Sequence, residues 1–221
     1  GRGDSLRTGS HTKPLDPGWT HVTITAHTRH ERAAGGIDAH RVSNHFEFRP
    51  AGDGPRARKA IAADGLLALQ PTRAIGRKNI PASLRVAQRL GATFWVAGPA
   101  EEGYGDTLDE LIAAASCRVV VGLPDGLTIA DAYEACDVVT FPSTWEGFGN
   151  PTIESAIHRK PLVVGHYPVL DELRAFGFRW CDQDSVTLDD ADTVGHNYEV
   201  AQQHFDVRDL PPRLAAILGD S

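Results

Sequence analysis

The sequence predicts an α/β protein whose main body is a doubly wound parallel sheet of Rossmann-like type, and two observations predict it. From residue 60 onward, short apolar runs alternate regularly with segments of helical period, the pattern of strands joined by crossover helices. Within that alternation, residues 138–164 read as strand, glycine-bearing turn, helix and strand, the unit from which such sheets are wound. With 221 residues and 41% hydrophobic content, the chain can hold one large domain, or one domain and part of another.

Residues 1–18 are rich in Gly, Ser, Thr, Pro and charge, show no hydrophobic period, and read as a flexible tail. Residues 22–26 alternate like a strand, 27–34 form a short helical segment closed by Gly35 and Gly36, and 39–42 are extended again. Residues 19–49 are therefore a small βαβ fragment. Pro50, Gly52, Gly54 and Pro55 give 50–59 the composition of a linker before the domain at 60–205. In that domain strands are expected at 66–70, 93–97, 118–121, 138–141, 162–164 and 178–180. The intervening helices carry their own punctuation. Gly91 follows 81–90, Thr107 and Glu110 form a capping box, Thr128 caps a helix to 135, Asn150 caps and Pro151 opens 151–159, and Gly177 closes 168–176. Helices at 191–205 and 211–218 end the chain, the latter within a C-terminal segment 206–221.

Composition excludes several classes. A net charge of -7 without a long Lys/Arg run argues against a nucleic-acid surface. Cys117, Cys136 and Cys181 lack paired spacing, so neither a disulfide framework nor a zinc ribbon is indicated and a reducing compartment is expected. No apolar run approaches the roughly 20 residues of a transmembrane segment. The expectation is a cytoplasmic protein, at most peripheral to a membrane. His27 and His30 sit three apart with no third ligand nearby and read as solvent-facing. No Gly-x-Gly-x-x-Gly follows a strand and no phosphate-loop Gly-x4-Gly-Lys-Ser/Thr occurs, which disfavours a nicotinamide dehydrogenase and a P-loop nucleotidase.

Ligands of a parallel sheet bind beyond the strand C-terminal ends. Two loops on that edge carry chemistry. In 71–79, Arg73, Arg77 and Lys78 cluster around Gly76; a guanidinium fork and an ammonium suit a diphosphate. In 143–154, Glu146 and Glu154 bracket Gly147, Phe148, Gly149, Asn150, Pro151 and Thr152 at a helix start, where free N–H groups and the helix dipole favour a phosphate. Two carboxylates separated by a helix start suit hydrogen bonds to sugar hydroxyls better than attack on one glycosidic bond.

Arg73-x4-Lys78, the run Asp131 to Val138 leading to Pro142-Ser143, and the Glu146-x7-Glu154 stretch together resemble the retaining nucleotide-sugar glycosyltransferases of family 4. The resemblance covers about residues 60–180 closely. It implies the C-terminal, donor-binding half of a GT-B fold at 60–205, with 19–49 as a remnant of the N-terminal acceptor domain. It implies catalytic roles for Arg73, Lys78 and Glu146: the two cations on the leaving diphosphate, Glu146 on the donor-sugar hydroxyls. It further implies that the backbone from Gly147 through Phe148, Gly149, Asn150 and Pro151 to Thr152 surrounds sugar and diphosphate. Glu154 would bind the ribose, and the loop with Leu123 would touch the base through its backbone. The expected donor is a UDP- or GDP-sugar, with no cofactor and no metal, the cations and the helix-start amides neutralising the diphosphate. The acceptor is open. The remaining N-terminal domain is expected as a separate chain or a missing part, and the chain alone as inactive. Two alternatives stay open: a non-catalytic nucleotide-sugar-binding module needing a partner, and a nucleotide-sugar epimerase.

Overall fold

The computed structural model of the chain describes residues 19–49 and 51–219, so the tail expected over 1–18 lies outside the described residues. Two parallel sheets are formed. The first pairs β1 (Val22–Thr23) with β2 (His40–Arg41) around helix α1 (Ala26–Ala34), the expected βαβ fragment. Thr25 caps α1 through its side-chain oxygen, which accepts from the Thr28 N–H. His27 and His30 are both exposed on this helix.

The main sheet contains β3 (Leu67–Gln70), β4 (Thr93–Val96), β5 (Val119–Val121), β6 (Val138–Phe141) and β7 (Leu162–Val164), in spatial order β5-β4-β3-β6-β7, all parallel. Side chains alternate between its two faces. Leu67, Leu69, Trp95, Val139, Phe141, Leu162 and Val164 pack on one side; Ala68, Phe94, Val96, Val138 and Val163 pack on the other. Both faces are covered by α2 (Gly54–Ala60), α3 (Ile80–Leu90), α4 (Gly105–Ala113), α5 (Ile129–Ala135), α6 (Asn150–Ile157) and α7 (Pro168–Ala175). Helix α8 (Ala191–Phe205) packs on α6, and α9 (Leu210–Gly219) follows a single 3-10 turn.

Four local expectations are corrected. The segment 50–59 carries helix α2 where a linker is expected, because its glycines serve close packing: a methyl group on Gly52 would lie 2.2 Å from the Ala130 carbonyl oxygen. Asp131 Oδ1 accepts the Asp53 N–H at 2.6 Å, tying that segment to α5. The sixth strand, 178–180, shrinks to one bridge between Val163 and Cys181. Asn197 takes both backbone groups of Arg179, at 2.9 and 2.7 Å, and removes them from any ladder. Helix α4 starts at Gly105, ahead of the expected capping box, because left-handed Glu102 and Gly103 turn the chain early and the Tyr104 carbonyl accepts from Leu108. Asn150 is not the cap of α6; Gly149 is, at φ 91°, while Asn150 Oδ1 accepts from Asn44. Thr128 caps α5 as expected, and Asp131 completes a capping box with it.

Candidate functional site

The strand order fixes where a ligand can enter. The chain winds outward from β3 through β4 to β5, then returns to the other side of β3 for β6 and β7. The crevice of such a sheet opens where the winding reverses, here beyond the C-terminal ends of β3 and β6. The loop 71–79 leaves β3 and the loop 142–149 leaves β6 at that point.

The two loops are stitched together by their backbones. Thr144 N–H donates to the Arg77 carbonyl at 2.9 Å, and Asn79 Nδ2 donates to the Pro142 carbonyl at 3.3 Å. Asn79 adopts the left-handed conformation, φ 52°, a bend that a short polar side chain tolerates. It separates the 3-10 turn bearing Lys78 from α3. Gly98, after β4, completes the wall: a methyl group there would lie 2.6 Å from Arg73 N.

At the centre, Lys78 Nζ meets Glu146 Oε1 at 2.5 Å across 68 residues of sequence, with the two residues only 6% and 8% exposed. Arg77 Nη1 lies 3.3 Å from the other oxygen, Oε2. The Lys78 ammonium also stands 4.7 Å from the Phe141 ring centre. Burial holds the Lys78 pKa below the usual lysine value, and the Glu146 carboxylate opposes that shift. Arg73 is half-exposed and paired with Glu101 at 2.5 Å.

The turn before α6 offers donors. Among the described residues, no acceptor takes the N–H of Gly147, Phe148, Gly149 or Asn150. The Phe148 side chain turns away into the aromatic core beside Phe205, so only its backbone serves this turn. Behind it, Tyr167 Oη and Thr152 Oγ1 lie 3.2 Å apart, and Gly149 leaves room for that hydroxyl. Further along α6, Glu154 Oε2 accepts from Tyr133 Oη at 2.7 Å. Burial pushes the Glu154 pKa up, opposed by that hydrogen bond and by His158. Leu123 is half-buried against the core beyond β5.

The structure thus brings Lys78 and Glu146 into contact and keeps Arg73 and Glu154 at separate places on the same sheet edge. Glu101, Tyr133 and Tyr167 as members of the site, and a partner for Arg77, are not legible in the sequence. Their contacts span 28, 21, 15 and 69 residues respectively, with no local period to signal them. Among the described residues, no cluster of three or more His, Cys, Asp and Glu side chains is placed to hold a metal, and no helix is long and apolar enough to cross a membrane.

Comparison with known proteins agrees with this architecture. The structure of HepE from Anabaena with UDP-glucose superposes with a TM-score of 0.72 at 17% identity, covering 91% of this chain and 64% of that one. Sucrose-phosphate synthase from Thermosynechococcus elongatus superposes with a TM-score of 0.68 at 16% identity, covering 90% of this chain and 57% of that one. At such identities the likeness establishes the fold, one half of a GT-B architecture. In sequence, mannosylglucosylglycerate synthase of Thermotoga maritima is 28% identical over 35% of this chain and 25% of its own length. The chain therefore spans under two thirds of these relatives. Residues 77–178, from the site arginine to just beyond α7, match the family described as glycosyl transferases group 1, which supports a GT-B glycosyltransferase.

Proposed function

We propose that the chain is the donor-binding half of a retaining GT-B glycosyltransferase of family 4, which moves a sugar from a nucleoside-diphosphate sugar to an acceptor. The observation that carries the reading is the buried Lys78–Glu146 contact at the switch point of the sheet. It puts a cation and a hydroxyl-accepting carboxylate together at the mouth of four unpaired amides. UDP-glucose bound to HepE, a protein of like fold, supports the same substrate class.

As the bond between anomeric carbon and diphosphate breaks, negative charge grows on the leaving oxygens and positive charge on the sugar ring. Lys78, Arg77, Arg73 and the α6 amides then interact more strongly than with the intact donor, which is the condition for lowering a barrier. These groups supply the charge neutralisation for which other enzymes use a divalent ion. Glu146 receives donor-sugar hydroxyls, and Glu154 receives those of the ribose. The loop around Leu123 borders the base.

Calorimetric titration of the 221-residue chain with UDP and GDP tests the reading. One of the two is expected to bind, without added metal, and Lys78→Ala is expected to abolish the heat. Absence of binding by both overturns the proposal. Transfer assays with an acceptor-binding half supplied then separate a transferase, which turns over, from a module that only binds.

A further inference from the structure

We propose that Tyr133 is a positioning residue for the bound donor: its hydroxyl fixes one oxygen of Glu154 and so orients the carboxylate that receives the ribose hydroxyls. The inference rests on the donor reading above and adds a residue to it.

Tyr133 lies on α5 and Glu154 on α6, and the phenol donates to Oε2 at 2.7 Å. The ring is 1% exposed and walled on one face by the imidazole of His158, stacked at 4.9 Å and 4°. That imidazole is itself held. His158 Nδ1 lies 2.7 Å from Glu134 Oε1, and Lys160 Nζ donates to the Glu134 carbonyl at 3.1 Å. A phenol clamped in this way keeps one rotamer, so its hydroxyl is a fixed donor. Burial also pushes its pKa well above the usual tyrosine value, which keeps the proton on it. Glu154 Oε1 accepts no hydrogen bond from the described residues and is not sealed in the core. The carboxylate thus retains the acceptor capacity a vicinal diol needs, while the phenol removes the rotational freedom it would otherwise lose on binding. A purely structural role would need only the ring. Phenylalanine would then serve equally well.

The test compares the nucleoside diphosphate that binds, UDP or GDP, with its 2′,3′-dideoxy analogue, using the 221-residue chain. The parent compound is expected to bind the wild type at least tenfold more tightly than the analogue. Tyr133→Phe is expected to weaken the parent by about tenfold, the size of one hydrogen bond to a charged group, and to leave the analogue unchanged. Glu154→Gln erases the discrimination, and adding Tyr133→Phe to it has no further effect on either ligand. Equal weakening of both ligands by Tyr133→Phe, or no change in either, overturns the positioning role. So does a further loss in the Glu154→Gln background, which remains readable if the single Tyr133→Phe variant folds poorly. A wild type that binds neither UDP nor GDP overturns the donor reading itself, and one that binds both parent and analogue equally overturns only the ribose role.

Discussion

At the scale of single residues, the site is a set of charges whose countercharges are already in place. Removing Lys78 leaves Glu146 buried beside Arg77 alone and deletes the buried cation of the site. Lys78→Ala is expected to lower transfer at least a hundredfold in assays with an acceptor-binding half supplied. That corresponds to about 3 kcal/mol of barrier, the size of one preorganised donor. Arg73→Ala acts on the same charge and is expected to fall in the same range. Gly149 presents a different constraint. Its φ of 91° is left-handed, and a methyl group there would sit 2.7 Å from Tyr167 Oη, a group buried against Thr152. Gly149→Ala is expected to lower stability by about 1–3 kcal/mol and weaken nucleotide binding. Tyr167→Phe should restore part of the stability by making room, and none of the part that comes from the backbone. Denaturant melts of both variants and their combination check this.

At the scale of elements, the helices and strands that the sequence announces most clearly are those whose local signals agree with their packing. Thr128 opens α5 as the expected cap, with Asp131 three residues on completing a capping box; the 191–205 helix appears with its expected bounds. Two of the misreadings share one cause. Gly52 and Gly54 resemble linker glycines in composition, yet their missing side chains admit the α5 backbone, a contact 78 residues away. The run 178–180 has the composition of a strand, but Asn197 claims its backbone from another helix. The site follows the same rule. Its two loops were legible as motifs because each is continuous in sequence, while the Arg73–Glu101 and Tyr133–Glu154 contacts depend on how helices settle over the sheet. Asp131 offers a prediction at this level. The Asp53 N–H, and then the Thr128 groups, hold its carboxyl below the usual aspartate pKa. A depressed folded pKa contributes stability that is present above the unfolded pKa and lost as pH falls through the folded one. Asp131→Asn is therefore expected to lower the melting temperature at neutral pH and to flatten its decline below about pH 5. Thermal melts between neutral and acid pH read both effects.

At the scale of the whole molecule, the aromatic cluster joins the site to distant parts of the chain. Phe205, at 0% exposure, touches Phe148 of the site turn, Phe176 and Phe178, and its carbonyl accepts the Phe46 N–H at 2.8 Å. The segment after β2 is thereby pinned to the end of α8. Phe205→Ala is expected to cost about 3–5 kcal/mol of unfolding free energy. It should also loosen residues 44–48 and the α6 turn together, measurable by amide hydrogen exchange. The charge pairing at the site reaches further still. Arg73, Arg77 and Lys78 face Glu101 and Glu146, three positive charges against two negative, inside a chain of net charge -7. The pairing leaves one net positive charge among these five groups, so their long-range pull on an anion is small and is screened further by salt. On the proposed reading, a diphosphate takes over from the two glutamates as countercharge to these cations, so selection at the site turns on close-range fit.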